Sequence, residues 1–289
     1  MAILTIISAN TAIGRVGQIL IVAVLVGMAA NLIVFAIRDW PLGDMDVYLE
    51  AARRLRDGEP LYVPGDVAVD SYWYAPWYAA LWVPLTYLPR EIVAIGWSAL
   101  LLIASAAVSL LVWRAAPSGR ILALFVGPAL FAVSAGGNVQ APMLLALIVG
   151  LHRRWGPIAI AAAASLKFAP LLLALVYVAR REWWRAGASL AFSAALLIPS
   201  YLMGITAAGV QSDAAPSLIA VSPILYGAVI VASALLVFVV PRRFAPLAAS
   251  AGAVLALPRL FVYDVTMVGV GAAREIDQEL RSRGPVGRG

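Results

Sequence analysis

The stretch IVAIGWSALLLIASAAVSLLVW, Ile92–Trp113, contains no charged residue and is bounded by Arg90 and Arg114. Its length suits an α-helix crossing a hydrocarbon core, which takes roughly 20 apolar residues. It does not alternate as a barrel strand would, where lipid-facing and lumen-facing residues take turns. Comparable apolar runs recur on both sides of it. Over 289 residues, 63% are hydrophobic and only 12% charged, and the mean hydropathy is +0.92. Such a composition predicts an all-α, polytopic transmembrane helix bundle.

Outward from that span, the apolar runs predict about seven to nine membrane segments. An uncleaved anchor is expected over 15–37, because the first apolar stretch is longer than a signal-peptide core of roughly 7–15 residues. The only long polar connection, 38–90, follows it. Further runs are 121–135, 139–151, 156–179, 184–203, 218–240 and 244–262. The expected organisation is a single transmembrane domain over 1–273, with a polar, arginine-rich tail over 274–289.

Basic clusters at Arg114/Arg120, Arg153/Arg154, Arg180/Arg181/Arg185 and Arg242/Arg243 mark the cytoplasmic side. The long loop, with five arginines against eight acids, then lies outside. Segment 156–179 conflicts with simple counting, since basic residues flank both of its ends. Two half-helices folding in and out around Lys167, or one tilted span, would each accommodate it; broken helices at membrane depth need cover from protein or water.

Cysteine is absent and His152 is the only histidine. Disulfides, iron–sulfur clusters, thiolate catalysis and zinc sites of the usual histidine and cysteine kind are thereby excluded. The net charge of +6 sits in small arginine groups at segment ends, where it orients the chain and meets lipid headgroups, so no nucleic-acid partner is expected.

Nine of the fifteen carboxylates lie between Asp39 and Glu91. Carboxylates are costly in hydrocarbon and persist beside it mainly for function. Within that region Met45, Tyr48, Leu49, Ala52 and Leu55 form a helical stripe with Glu50, Arg53, Arg54 and Arg56 largely off it. That pattern predicts an amphipathic helix on the outer membrane surface. Asp44 is expected at its N-cap, with Asp46 complementing the helix dipole. Spacing alone favours a cap over a catalytic base as the role of Asp44, though one residue can serve as both.

Residues 72–87 carry seven aromatics in sixteen positions. They read either as an interfacial aromatic belt or as a lining for a sugar or isoprenoid chain. Lys167 sits in mid-segment, too deep to snorkel, and needs a partner. A lipid-linked phosphate and a buried acid such as Asp264 are the two candidates. Gly136-Gly137-Asn138 predicts a tight helical hairpin, and Pro258–Asp264 places an arginine and an acid near a helix end.

In chain order, these motifs resemble glycosyltransferase family 87, polyprenol-phosphate-sugar-dependent transferases of the GT-C fold. The resemblance rests on Asp44-Met45-Asp46-Val47-Tyr48 with Ala51-Ala52, Gly58-Glu59-Pro60-Leu61-Tyr62, Tyr74-Ala75-Pro76 followed by Pro84-Leu85 and Leu88-Pro89, Gly137-Asn138-Val139-Gln140, Ser165-Leu166-Lys167-Phe168-Ala169-Pro170 and Pro258–Asp264. In the fourth motif the two amides are exchanged relative to the family's Gly-Gln-x-Asn turn. Ala75 stands where a second proline is typical. Only about ten apolar residues follow the Tyr-Asp element before Arg274, which implies a short or truncated member.

The resemblance implies inverting transfer of a sugar, mannose first and arabinose next, from a polyprenyl-phosphate donor to a lipid or glycan acceptor. It implies no cofactor and no metal, the lipid-linked sugar acting as co-substrate. Asp44, with Asp46 as the alternative, would be the general base. Lys167 and Arg259 would neutralise the phosphate, and Tyr48, Tyr74, Asn138, Gln140 and Asp264 complete the candidate substrate-binding set. Membrane lipids are expected partners, and the expected location is a bacterial plasma membrane with the site on its outer face. A non-catalytic lipid or sugar transporter and an inactive structural homologue are the rival readings.

Overall fold

A computed structural model describes residues 42–62, 72–114, 117–205, 218–258 and 260–273. Among them the chain is helical, without strands. The expected anchor over 15–37, the polar tail from 274 and Arg259 lie outside the described residues.

Helix α1 (Gly43–Asp57) carries the predicted stripe. Met45, Tyr48, Leu49, Ala51 and Ala52 are buried, while Asp44 and Asp46 in the first turn and Arg54 and Arg56 in the last match the helix dipole. Gly58, at φ 75°, ends it by donating to the Arg54 and Leu55 carbonyls, the left-handed stop that glycine adopts without strain. The buried face meets protein, not lipid. It packs on α2 (Pro76–Trp82) and the 3-10 turn Val83–Tyr87 that continues it.

The expectation of an N-cap at Asp44 is corrected. Leu42 holds the cap position, with φ 50°, and Asp44 is the second residue of the helix. The first N–H groups of a helix need acceptors, and another part of the chain supplies them. Leu42 N donates to Ala135 O at 3.0 Å and Asp44 N to Gly136 O at 2.8 Å. With a carbonyl doing the capping, the Asp44 carboxylate is released for another partner.

Helix α3 (Arg90–Trp113) is the one helix, among the described residues, that is long and apolar enough to cross a membrane. Only 28% of its apolar window is buried, and Ile92, Ile95, Leu100, Ile103 and Leu110 face outward. Outward apolar area of this extent marks a contact with lipid or another apolar partner. Helix α4 (Pro117–Ala135) packs along it and turns through Gly136–Val139 into α5 (Gln140–Gly150). This is the predicted hairpin. At φ 82°, Gly137 makes the turn, and a Cβ there would lie 2.9 Å from Met45 N. Only glycine permits so close an approach of the turn to α1.

Segment 156–179 forms two half-helices, α6 (Gly156–Leu166) and, after the 3-10 turn Ala169–Leu173, α7 (Ala174–Ala179). The break has a local cause. Lys167 is extended, with φ −142° and ψ 112°, and Pro170 lacks the N–H that a continuous helix would direct to Leu166. The two outer ends meet. Tyr177 OH donates to Leu151 O at 2.6 Å, and Arg180 approaches His152 Nδ1 at 3.1 Å. Thus the segment folds back on itself, and both of its basic flanks lie at one end of the bundle.

Helix α8 (Trp183–Leu202) then packs along α6. The four-residue helix Leu218–Val221 leads into α9 (Pro223–Val239). Next come α10 (Ala245–Leu255), the 3-10 turn Val262–Met267 and α11 (Val268–Ala272). Among the described residues, one helix rather than seven to nine has the length and hydropathy of a crossing. The shorter apolar helices run over 122–135, 140–150, 156–166, 169–179, 223–239 and 262–272. At 1.5 Å per residue an 11-residue helix covers about 16 Å, roughly half a hydrocarbon core.

Two apolar cores result. The larger is built on Leu130, Leu144, Leu147, Ile160, Leu173 and Tyr177 between the helices. The smaller, around Tyr48, joins α1 to the aromatic segment.

Candidate functional site

The ends of several elements converge where the two cores meet: the start of α1, residues 72–77, the turn 136–139, the Lys167 break and the turn at 261–266. Their polar side chains form a connected series. Asn138 Nδ2 donates to Asp44 Oδ2 at 2.7 Å, and Gln140 N donates to Asn138 Oδ1 at 3.0 Å. That second bond fixes the amide, because Oδ1 must face the backbone N–H and Nδ2 must then face the carboxylate. The Gln140 side chain continues the series. Its Oε1 accepts from Lys167 Nζ at 3.0 Å and its Nε2 donates to Thr266 Oγ1 at 3.3 Å.

Lys167 Nζ also stands 2.6 Å from Asp264 Oδ1 and 4.6 Å from the centre of the Tyr263 ring. Asp264 is 1% exposed and accepts from Phe261 N through its other oxygen. Of the two partners expected for Lys167, the buried acid is the one present. Asp264 and Gln140 together leave one of the three ammonium N–H groups for another acceptor.

Aromatic side chains wall the carboxylate end. Tyr48 is fully buried; its hydroxyl accepts from Val139 N and donates to Tyr74 OH, each at 3.3 Å. The rings of Tyr74, Tyr78 and Trp82 lie 5.0–5.3 Å from the Tyr48 ring, edge-on or tilted as aromatic pairs prefer. Burial, then the neighbouring phenols and the Asp44 carboxylate, raise the Tyr48 hydroxyl well above the usual phenol range. Burial and next Asp44 do the same for Tyr74. Both phenols therefore stay protonated. Among the described residues this motif is an internal packing unit, with Tyr72, Tyr78 and Trp82 buried; Tyr87 alone of the seven stands 71% exposed.

The two candidate bases are placed differently. Asp46 forms a two-pronged pair with Arg90, at 2.8 and 2.7 Å, with both side chains about half exposed. Exposed pairs of this kind contribute about 0–1 kcal/mol. Asp44 is tied to an amide inside the convergence. The structure therefore brings together Asp44, Tyr48, Tyr74, Asn138, Gln140, Lys167 and Asp264, leaves Asp46 at the rim and does not describe Arg259.

Ser165, which opens the Lys167 motif, also supports the site, as do Thr266 and Trp97, which the sequence does not single out. Thr266 accepts from Gln140; Trp97 Nε1 donates to Gly137 O at 2.7 Å, and Trp77 Nε1 to Ser165 Oγ at 2.8 Å. A signal existed for Thr266, a lone hydroxyl beside Asp264 in an apolar stretch. None existed for Trp97, whose indole reads as ordinary span composition.

The described residues are thus helical, with one long outward-facing apolar helix and a buried, ion-paired polar cluster walled by tyrosines. Residues 72–212 match Glycosyltransferase family 87, the family that the motifs resemble. This points to a glycosyltransferase, and members of the family are generally membrane-associated. The matched stretch contains Tyr74, Asn138, Gln140 and Lys167, whereas Asp44, Tyr48 and Asp264 lie outside it. No curated protein and no solved structure matches the chain.

Proposed function

We propose that this chain is a multi-pass membrane glycosyltransferase that moves a sugar, mannose in the first instance, from a polyprenyl-phosphate donor to a hydroxyl of a lipid or glycan acceptor. The observation that carries the proposal is the Asp44–Asn138 bond, which holds a carboxylate at the meeting point of a lysine, two protonated tyrosines and the family-matched segment.

In this reading Asp44 accepts the proton of the acceptor hydroxyl while that oxygen attacks the anomeric carbon. The bond from that carbon to the phosphate oxygen breaks, its electron pair leaves with the polyprenyl phosphate, and configuration inverts. A carboxylate with the ordinary pKa of about 3.9 is ionised at neutral pH and assists if it is within hydrogen-bond reach. Charge gathers on the departing phosphate, so fixed donors beside it lower the barrier. Lys167 contributes its remaining N–H, and Arg259 a second cation. The Tyr74 hydroxyl orients the sugar, while Tyr48 and Gln140, both fully buried, act from behind by holding Tyr74 and Lys167 in place. Asp46 is the alternative base.

A second reading, an inactive structural homologue, is favoured by one feature: Lys167 is already partnered by Asp264 and Gln140. Incubating membranes that contain the protein with radiolabelled polyprenyl-phosphate sugars separates the two. Label appearing in a lipid or glycan product supports transfer, and its absence with every sugar tried supports the structural reading.

A further inference from the structure

The end of the bundle opposite the candidate site carries a second cluster. The return of segment 156–179 brings the loop after α5 against the loop after α7, and Arg185 bolts the two together. Its guanidinium donates to Leu151 O at 2.9 Å and Arg153 O at 2.6 Å, pairs with Glu182 at 2.6 Å and lies 4.2 Å from the centre of the Tyr177 ring. The bolted loops expose Arg154 and Arg181, flanked by Trp155, Trp183 and Trp184. Trp183 and Trp184 are 64% and 77% exposed, large indoles with little protein to cover them.

Arg181 adds an independent observation. It occupies the left-handed position that stops α7, at φ 63°, with Arg181 N bonded to Val178 O and Glu182 N to Tyr177 O. That stop favours glycine, since a side chain there is strained. Keeping an arginine at a strained, exposed position is a mark of functional sites. Indoles favour the headgroup level of a bilayer, and guanidinium groups bind phosphate in two-pronged fashion.

We infer that Arg154 and Arg181, with Trp155, Trp183 and Trp184, form a binding site for the phosphate headgroup of an anionic membrane phospholipid in the leaflet facing this end. The site requires both loops and rests on the membrane location in the proposed function but not on sugar transfer, so loss of transfer activity leaves it standing.

The test uses the purified full chain in a neutral detergent, with unfolding followed by tryptophan fluorescence as phosphatidylglycerol, phosphatidylcholine or inorganic phosphate is added. Phosphatidylglycerol raises the melting temperature saturably, and the other two leave it unchanged. In Arg154→Gln/Arg181→Gln the midpoint of that titration weakens by about thirty-fold, the effect of two headgroup-level cations. Arg242→Gln/Arg243→Gln removes the same charge from another exposed basic pair and keeps the wild-type midpoint. Arg154→Gln alone, which leaves the strained stop untouched, shows a partial loss should the double variant fold poorly. An equal rise with phosphatidylcholine, a response to inorganic phosphate alone, or equal losses in the two double variants overturns the inference.

Discussion

Lys167 and Asp264, 97 positions apart in sequence, meet at 2.6 Å and are 14% and 1% exposed at their side chains. Their pairing fastens the break between α6 and α7 to the C-terminal turn. Removing one member of a buried pair strands the other charge and costs about 3–5 kcal/mol. Lys167→Met is therefore expected to lower unfolding stability by that amount, and adding Asp264→Asn, which keeps the acceptor for Phe261 N, to restore most of it. Thermal unfolding of the purified variants measures both. Lys167→Ala is further expected to weaken binding of a short-chain donor analogue; unchanged affinity removes its proposed phosphate contact.

Gly137→Ala tests the seat of the Asn138 turn. The new methyl meets Met45 N at 2.9 Å in a backbone with φ 82°. A loss of more than about 1 kcal/mol is expected, together with reduced sugar transfer as Asn138 shifts from Asp44. Stability equal to wild type would show that the turn has room to move.

Tyr48→Phe deletes the acceptor of the buried Val139 N–H and the donor to Tyr74. An unpaired buried donor costs about 1–3 kcal/mol. The ring stays, so the aromatic packing is retained and the loss reads the hydroxyl alone in an unfolding titration.

The alkaline limb of stability follows from the phenols. Tyr48 and Tyr74 are raised in the folded protein relative to the usual value of about 10. Above that pH the unfolded chain releases protons that the folded chain retains, so stability falls as pH rises. Below it their contribution is fully present. Melting temperatures measured from pH 8 to 12 are expected to drop beyond about pH 10, and to drop less in Tyr48→Phe.

Much of this organisation is legible in the sequence because it is periodic or local. The α1 stripe follows from helical spacing and the α4–α5 hairpin from Gly136-Gly137, whereas Lys167 and Pro170 inside an apolar run with basic flanks leave two half-helices and one tilted span both open. What covers each face is not local. The stripe of α1 reads equally well as lipid-facing, and only the folded chain lays it on Tyr78 and Trp82. That Asp44 does not cap α1 is not legible, because its competitor, the Gly136 carbonyl, lies more than ninety positions away. Span number is not settled by apolar length, which does not separate a crossing from a half-helix that turns back. Of the site, the carboxylate and the lysine are visible as charges out of place. Their joining through Asn138 and Gln140 depends on a turn geometry that residue types do not encode.

The most direct test of the account compares purified wild type, Asp44→Asn and Asp46→Asn for transfer of labelled sugar from a polyprenyl-phosphate donor, with melting temperatures taken alongside. The expected result is a fall of about 10²–10⁴-fold for Asp44→Asn without loss of folding, and near-normal transfer by Asp46→Asn. Wild-type transfer by a folded Asp44→Asn protein would contradict the account.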